Sequence, residues 1–250
     1  MFVLAVLAGA FIALGAVFAT TVTAGASETI PFGLTKLLGG VAFSLGLILV
    51  VVAGAELFTG NNLVVMAVAS GKVSIGKMLQ GWLIVYLGNF VGSISTAAIV
   101  LMAKQYEQGG GSVGLNALNI ANAKCELEFF EAFALGVLCN ALVCLAIWLC
   151  LSARTVTDKV LAIIFPITAF VAAGFEHSVA NMYFVPYGLL VKATGTRWFW
   201  DSLATSPQKF DALTWENFFV ANLLPVTLGN IVGGALMVGL VYWFIHRRHK

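Results

Sequence analysis

Two carboxylates and one imidazole stand inside stretches of sequence that are otherwise uncharged. Glu56 separates residues 37–55 from 57–71, and Glu176 with His177 separates 160–175 from 178–191. An ionisable side chain at membrane depth costs about 2.5–3.5 kcal/mol even on insertion scales, so each position calls for a partner or a function. The acids suit helix ends, where a carboxylate accepts backbone N–H bonds without touching a solute. The imidazole is different: its unperturbed pKa of about 6.5 makes it a proton donor or charge switch near neutrality. Thr59, three residues beyond Glu56, offers a hydroxyl to a solute, to His177 or to its own turn. Ser178 is no hydrolytic nucleophile, because adjacent residues on a helix point apart and no oriented Ser–His–acid set is evident. Metal binding and nucleotide use have no support: His246 and His249 sit in a basic tail, and no phosphate-binding glycine loop occurs. The four cysteines form no C-x-x-C and read as small buried apolar residues.

The elements that must hold these groups are membrane spans. Of 250 residues, 60% are apolar and only 10% are charged, against roughly 25% charged in a soluble domain. Mean hydropathy is +0.99. This excludes an ordinary soluble protein and a disordered chain, and a net charge of +2 gives no footing for nucleic acid. A spanning helix needs roughly 20 apolar residues. Uncharged runs at 2–27, 37–71 (broken by Glu56), 78–103, 132–153, 160–191 (broken by Glu176) and 217–245 predict six spans. The first run ends at Glu28. Its Thr23-Ala24-Gly25-Ala26 resembles a cleavage site, but no Lys or Arg precedes it and the run is too long for a secretory signal. Because it opens directly into apolar sequence, a preceding segment is expected.

Lys72, Lys77, Arg154, Lys159, Arg247, Arg248 and Lys250 fall on one side in short connections with only Asp158 among them. Lys36, Lys104, Lys124, Lys192, Arg197 and Lys209 fall on the other, in long connections rich in acids. The positive-inside rule weighs short loops most, so both termini are expected in the cytoplasm. Trp82, Tyr86, Trp198, Trp200, Trp215, Tyr242 and Trp243 are expected as interfacial anchors.

The chain contains one plan twice. Ala13-Leu14-Gly15 recurs as Ala134-Leu135-Gly136 at an offset of 121, and Glu56 with Asn61 recurs as Glu176 with Asn181 at 120. Gly88-Asn89-Phe90-Val91-Gly92 recurs as Gly229-Asn230-Ile231-Val232-Gly233 at 141. These G-x-x-x-G glycines read as close helix packing. Each copy has three spans, an odd number, so the second is inverted. One channel domain over 1–250 results, with repeat 1 at about 1–103 and repeat 2 at about 129–250. Inverted repeats place a site near the midplane between the copies. The turn-forming residues after each acid, Phe58-Thr59-Gly60-Asn61-Asn62 and His177-Ser178-Val179-Ala180-Asn181, predict two helices broken there.

These same stretches carry a resemblance. Glu56-Leu57-Phe58-Thr59-Gly60-Asn61 and Gly174-Phe175-Glu176-His177-Ser178-Val179-Ala180-Asn181-Met182 resemble the two signatures of the formate/nitrite transporter family, over nearly the whole chain. Pro31-Phe32-Gly33-Leu34-Thr35-Lys36-Leu37 and Asn222-Leu223-Leu224-Pro225-Val226-Thr227 are similar to its formate-transporting subgroup. The resemblance implies an all-α, aquaporin-like protomer with six transmembrane helices as a 3+3 inverted repeat, assembled as a homopentamer in a bacterial cytoplasmic membrane. It implies a pathway along His177, Thr59, Lys124 and Asn140, beside Glu176 and Asn181. Lys124 stands as anion attractor, and Phe43, Leu47, Phe58, Val143 and Phe170 as apolar constrictions. The Gly60-Asn61 pair departs from the small hydroxyl residues of some members, and the family's amphipathic N-terminal helix is not among these residues.

The expectation is a passive or proton-coupled channel for formate and related small weak-acid anions, with no enzymatic activity, cofactor or metal. A bare anion is heavily penalised in an apolar ring, whereas formate that takes a proton from His177 passes as a neutral acid, since carboxylic acids titrate near pH 4 (about). Nitrite and hydrosulfide are alternative solutes. An aquaporin-type neutral pore is the alternative of another class, but its twin Asn-Pro-Ala motifs are absent.

Overall fold

The computed structural model describes residues 1–26 and 30–247; Glu28, Arg248, His249 and Lys250 lie outside the described residues. Every regular element among the described residues is helical. Repeat 1 holds α1 (Phe2–Val22), α2 (Phe32–Ala53), the short α3 (Phe58–Asn61) and α4 (Val65–Ala69), and α5 (Ile75–Met102). Repeat 2 holds α7 (Phe129–Cys150), α8 (Val156–Ala172), α9 (Ser178–Thr194) and α11 (Trp215–His246). Between them α6 (Ser112–Cys125) packs against α9, and α10 (Arg197–Ser202) lies in the long loop before α11. Five helices, α1, α2, α5, α7 and α11, are long and apolar enough to cross a membrane. The fifth predicted span is two pieces instead, α8 and α9, of 17 residues each.

Small residues set the spacing between helices. α1 buries Ala5, Ala8, Gly9, Ile12, Ala13 and Ala16 while Leu4, Leu7, Leu14 and Phe18 stay exposed on its outer face. Lipid is as apolar as leucine, so close backbone approach, not apolar burial, drives such packing. A Cβ on Gly92 would lie 1.9 Å from the Val6 carbonyl oxygen, and one on Gly233 would lie 2.1 Å from that of Val137. The four cysteines are buried and unpaired.

The two helix breaks are equivalent and sit earlier than the turn-forming residues suggest. Gly54 (φ 77°) and Gly174 (φ 74°), 120 residues apart, close α2 and α8 in the left-handed conformation that only glycine adopts at no steric cost. The chain then folds back through Glu56 and Glu176 and restarts as α3 and α9. Thr59, Gly60 and Asn61, read from sequence as the break, are instead the first turn of the new helix. The reason is positional: these residue types also favour helix starts.

Hydrogen bonds fix the register of the repeat. The Glu56 N–H reaches the Leu4 carbonyl (3.2 Å), and the Glu176 N–H reaches that of Leu135 (3.3 Å). Asn89 donates to the Ala5 carbonyl, and Asn230 to that of Gly136. The first and fourth spans therefore match at an offset of 131. The 121 offset of Ala-Leu-Gly is a correction: three common small or apolar residues recur by chance, and ten residues separate the true partners. Trp82 and Tyr86 also differ from expectation. Trp82 is buried with its indole N–H on the Asn61 carbonyl (2.9 Å), and the Tyr86 hydroxyl meets Thr227 Oγ1 (2.9 Å), so both brace the interior.

Gly92→Ala and Gly233→Ala are each expected to lower thermal stability in detergent, by about 1–3 kcal/mol of overpacking. Gly76→Ala, in the first turn of α5 with nothing within 4 Å of its added Cβ, is expected to be neutral or better. Equal melting temperatures for all three would contradict the packing described.

Candidate functional site

Both restarted helices begin on an asparagine from the third span of their own repeat. The Phe58 N–H donates to Asn89 Oδ1 (2.9 Å), and the Ser178 N–H to Asn230 Oδ1 (2.9 Å). Each amide NH2 then ties down two carbonyls: Ala5 and Glu56 for Asn89, Gly136 and Glu176 for Asn230. All four polar functions of the two side chains are thus spent on backbone groups that no water reaches. Sequence reasoning credited the glycines of G-N-x-V-G with packing and passed over the asparagine that both copies share.

The pivot of the site is His177, which is 3% exposed. It caps α9: Nδ1 accepts the Ala180 N–H (3.1 Å). Nε2 lies 2.9 Å from Thr59 Oγ1, at the start of the opposing α3. A ring nitrogen that accepts carries no proton, so the neutral ring holds its proton on Nε2 and donates it to Thr59. The Thr59 carbonyl is held from behind by Asn140 Nδ2 (3.2 Å) and by the Cys144 thiol (3.4 Å). Asn140 also donates to Asn62 Oδ1 and to the Asn230 carbonyl. Asn140 therefore holds the Thr59 carbonyl in place.

His177 lines a small cavity of about 10 Å³, room for about one water molecule. Ile12, Phe43, Leu47, Leu57, Val143, Ile167 and Phe170 complete its wall. Four of the five constriction residues expected from sequence are there. Phe58 is not: its ring packs edge-on against Tyr86 (4.9 Å) and Trp82 (6.1 Å). Ile12, Leu57 and Ile167 were missed, although the repeat contains the signal. An offset of 120 relates Leu57 to His177 and Leu47 to Ile167, and 131 relates Ile12 to Val143. Six of the eight wall residues thus form three repeat-related pairs, and His177 is the one polar member among them.

A line of rings leads from the cavity to one mouth. His177 stacks on Phe170 (6.0 Å), Phe170 meets Phe43 edge-on (5.8 Å), and Phe43 stacks on Phe184 (6.3 Å). The Lys124 ammonium stands 5.5 Å over Phe184. Lys124 is not a free charge, because its Nζ is 2.6 Å from Glu176 Oε1. The other carboxylate oxygen accepts from Asn181 (2.6 Å) and Asn222 (3.2 Å). Asn181 and Asn222 thus fix the direction of the ion pair. No group of three or more potential metal ligands occurs among the described residues.

Residues 1–244 match the family model described as formate/nitrite transporter. The chain belongs to the formate/nitrite transporter family. Over 249 residues it is 46% identical to the formate channel FocA of Escherichia coli strain K12, covering 100% of this chain and 87% of that protein. It is 47% identical over 242 residues to formate channel FocA of Haemophilus influenzae, covering 97% and 85%. A solved structure titled pentameric formate channel with formate bound superposes with a TM-score of 0.93 at 49% identity, covering 98% of this chain and 96% of that one. These relatives are membrane channels and not enzymes, in keeping with the apolar spans described above.

Removing one partner of the Lys124–Glu176 pair leaves a charge buried at 6% side-chain exposure or nearly so. Lys124→Met is expected to destabilise by roughly 3–5 kcal/mol, and Lys124→Met with Glu176→Gln by clearly less. A thermal-melt double-mutant cycle measures the difference, and additive losses would contradict a coupled pair.

Proposed function

We propose that the chain is a passive channel for formate and related small weak-acid anions. On this reading it works as a homopentamer with one pore per protomer, in a bacterial cytoplasmic membrane, with both termini on the cytoplasmic side. The observation that carries the reading is the cavity walled by seven apolar side chains and one imidazole, in a chain 46% identical to a formate channel over its full length. The homopentamer rests on the pentameric relative, and the orientation on the short basic connections.

The apolar wall opposes a bare anion. At about pH 7 only about one formate in a thousand is protonated, given a pKa near 4 (about), so the passage must supply either a proton or a polar contact. Thr59 and His177 supply the contact. With Nε2–H donated to Thr59 Oγ1, the hydroxyl hydrogen of Thr59 is free to turn toward a carboxylate at the cavity. His177 supplies the proton only at a structural cost. A second proton enters the ring at Nδ1, the atom that accepts the Ala180 N–H, so charging the ring and uncapping α9 are one event. Uncapped, the charged ring gives its Nδ1 proton to a formate oxygen, formate crosses as formic acid, and the bare Nδ1 again accepts the Ala180 N–H. The small size of the cavity sets the other condition: formate needs Phe43, Phe170 or Leu47 to give way.

Asparagine caps helices well but does not titrate. In reconstituted liposomes, His177→Asn is therefore expected to keep the fold and to lose whatever part of the rise in formate flux at low pH comes from protonation of the ring. Its flux should then follow the formic acid fraction alone. His177→Phe is expected to lose about tenfold to a hundredfold in flux at neutral pH, the worth of one hydrogen bond to a charged group. Nitrite and hydrosulfide uptake by the same sample ranks the solutes. Both variants matching the unsubstituted channel in rate and pH profile would remove His177 from the pathway.

A further inference from the structure

Along α9 from Ser178 to Leu189 every residue is buried except Phe184. The helix packs on α1, α5, α6 and α11, and Phe184 turns to two groups of the pathway. The Lys124 ammonium lies 5.5 Å over its ring. The Phe43 ring, in the wall of the cavity, stacks on it at 6.3 Å with 18° between the planes. Lys124 keeps 15% of its side chain exposed and gives one of the three N–H groups of an ammonium to Glu176 Oε1. The offset of 120 that relates Leu57 to His177 relates Val64 to Phe184. Repeat 1 thus has a small side chain where repeat 2 has a ring beside a cation.

We propose that Phe184 is a specificity-determining residue, which sorts the anions held at Lys124 by what they carry behind the charged group. The face of a phenyl ring is negative, so it attracts the ammonium and repels a carboxylate. An anion on Lys124 keeps its oxygens at Nζ, and its way inward to Phe43 runs past the Phe184 ring. Formate has only hydrogen behind its carboxyl group. Acetate has a methyl group there and propionate an ethyl group, and these share the space with a ring already stacked on Phe43. One side chain both seats the cation that draws anions and narrows the room beside it. Val64 makes no such restriction at the equivalent place in repeat 1, so the sorting belongs to the Lys124 mouth.

The proposal rests on the anion-channel reading above and is tested in liposomes reconstituted with the full chain. Initial uptake of labelled formate is competed with unlabelled formate, acetate and propionate at one buffered neutral pH, with protein-free liposomes subtracted. Competition reports occupancy of the mouth and is blind to leak of the larger acids through lipid. In the unsubstituted channel the half-blocking concentration should rise from formate to acetate to propionate. Phe184→Val, which gives repeat 2 the residue of repeat 1, should lower the values for acetate and propionate relative to that for formate by roughly threefold to tenfold, since a methylene in a closed pocket is worth about tenfold or more. Phe184→Tyr keeps the ring and should keep the ranking. Phe184→Leu, a better helix former, should shift the ranking in the same sense as Phe184→Val and serves if that variant does not assemble. A ranking unmoved in the assembled valine or leucine variant, or equal shifts for all three anions, overturns the proposal and leaves the channel reading standing. No uptake of formate by the unsubstituted channel overturns both.

Discussion

A backbone N–H or C=O left unpaired at membrane depth is costly because no water reaches it, and the interior of this protein is arranged around that constraint. Two helices stop and restart inside the bundle, which frees polar groups at four ends. The restarted ends are met by Asn89 and Asn230, each accepting one N–H and donating to two carbonyls. With those groups satisfied, the chain can bring the first turns of α3 and α9 together. The Thr59–His177 contact follows from that meeting. Without the asparagines, a continuous helix would be the cheaper solution and there would be no passage.

The repeat explains both the shape of the site and its chemistry. Symmetry gives apolar pairs, Ile12 with Val143 and Leu47 with Ile167, a wall that excludes ions. Departures from symmetry give function. Leu57 is matched by His177, which puts one titratable ring in the wall. Thr59 is matched by Val179, which puts one hydroxyl opposite that ring. Phe58 is matched by Ser178, which turns the phenyl ring toward Tyr86 and away from the passage.

Much of this was legible in the sequence. Apolar runs separated by charges gave the spans, and acids inside two of them marked the breaks, because both signals reflect the same cost of charge in lipid. The signature stretches gave His177 and Thr59. Three things were not legible, each for a physical reason. The register of the first and fourth spans was lost because a helix packed through small residues repeats Ala, Leu and Gly at many spacings; only hydrogen bonds to the Leu4 and Leu135 carbonyls fix it. The role of Asn89 and Asn230 was hidden because their partners are backbone groups of other elements, which leave no pattern in sequence. Trp82 and Tyr86 read as interfacial because their residue types favour that place, whereas Asn61 and Thr227 draw their polar ends inward.

The central claim is that His177 stands in the wall of the passage with Nδ1 capping α9 and Nε2 on Thr59. A cryo-electron microscopy map of the assembled channel in a lipid nanodisc, at a resolution that places ring atoms, tests it most directly. The account predicts Nδ1 within hydrogen-bond reach of the Ala180 nitrogen, Nε2 on the Thr59 hydroxyl, and one open face of the ring between Phe170 and Leu57. A ring sealed on all sides by protein, with the lumen running elsewhere, would contradict it.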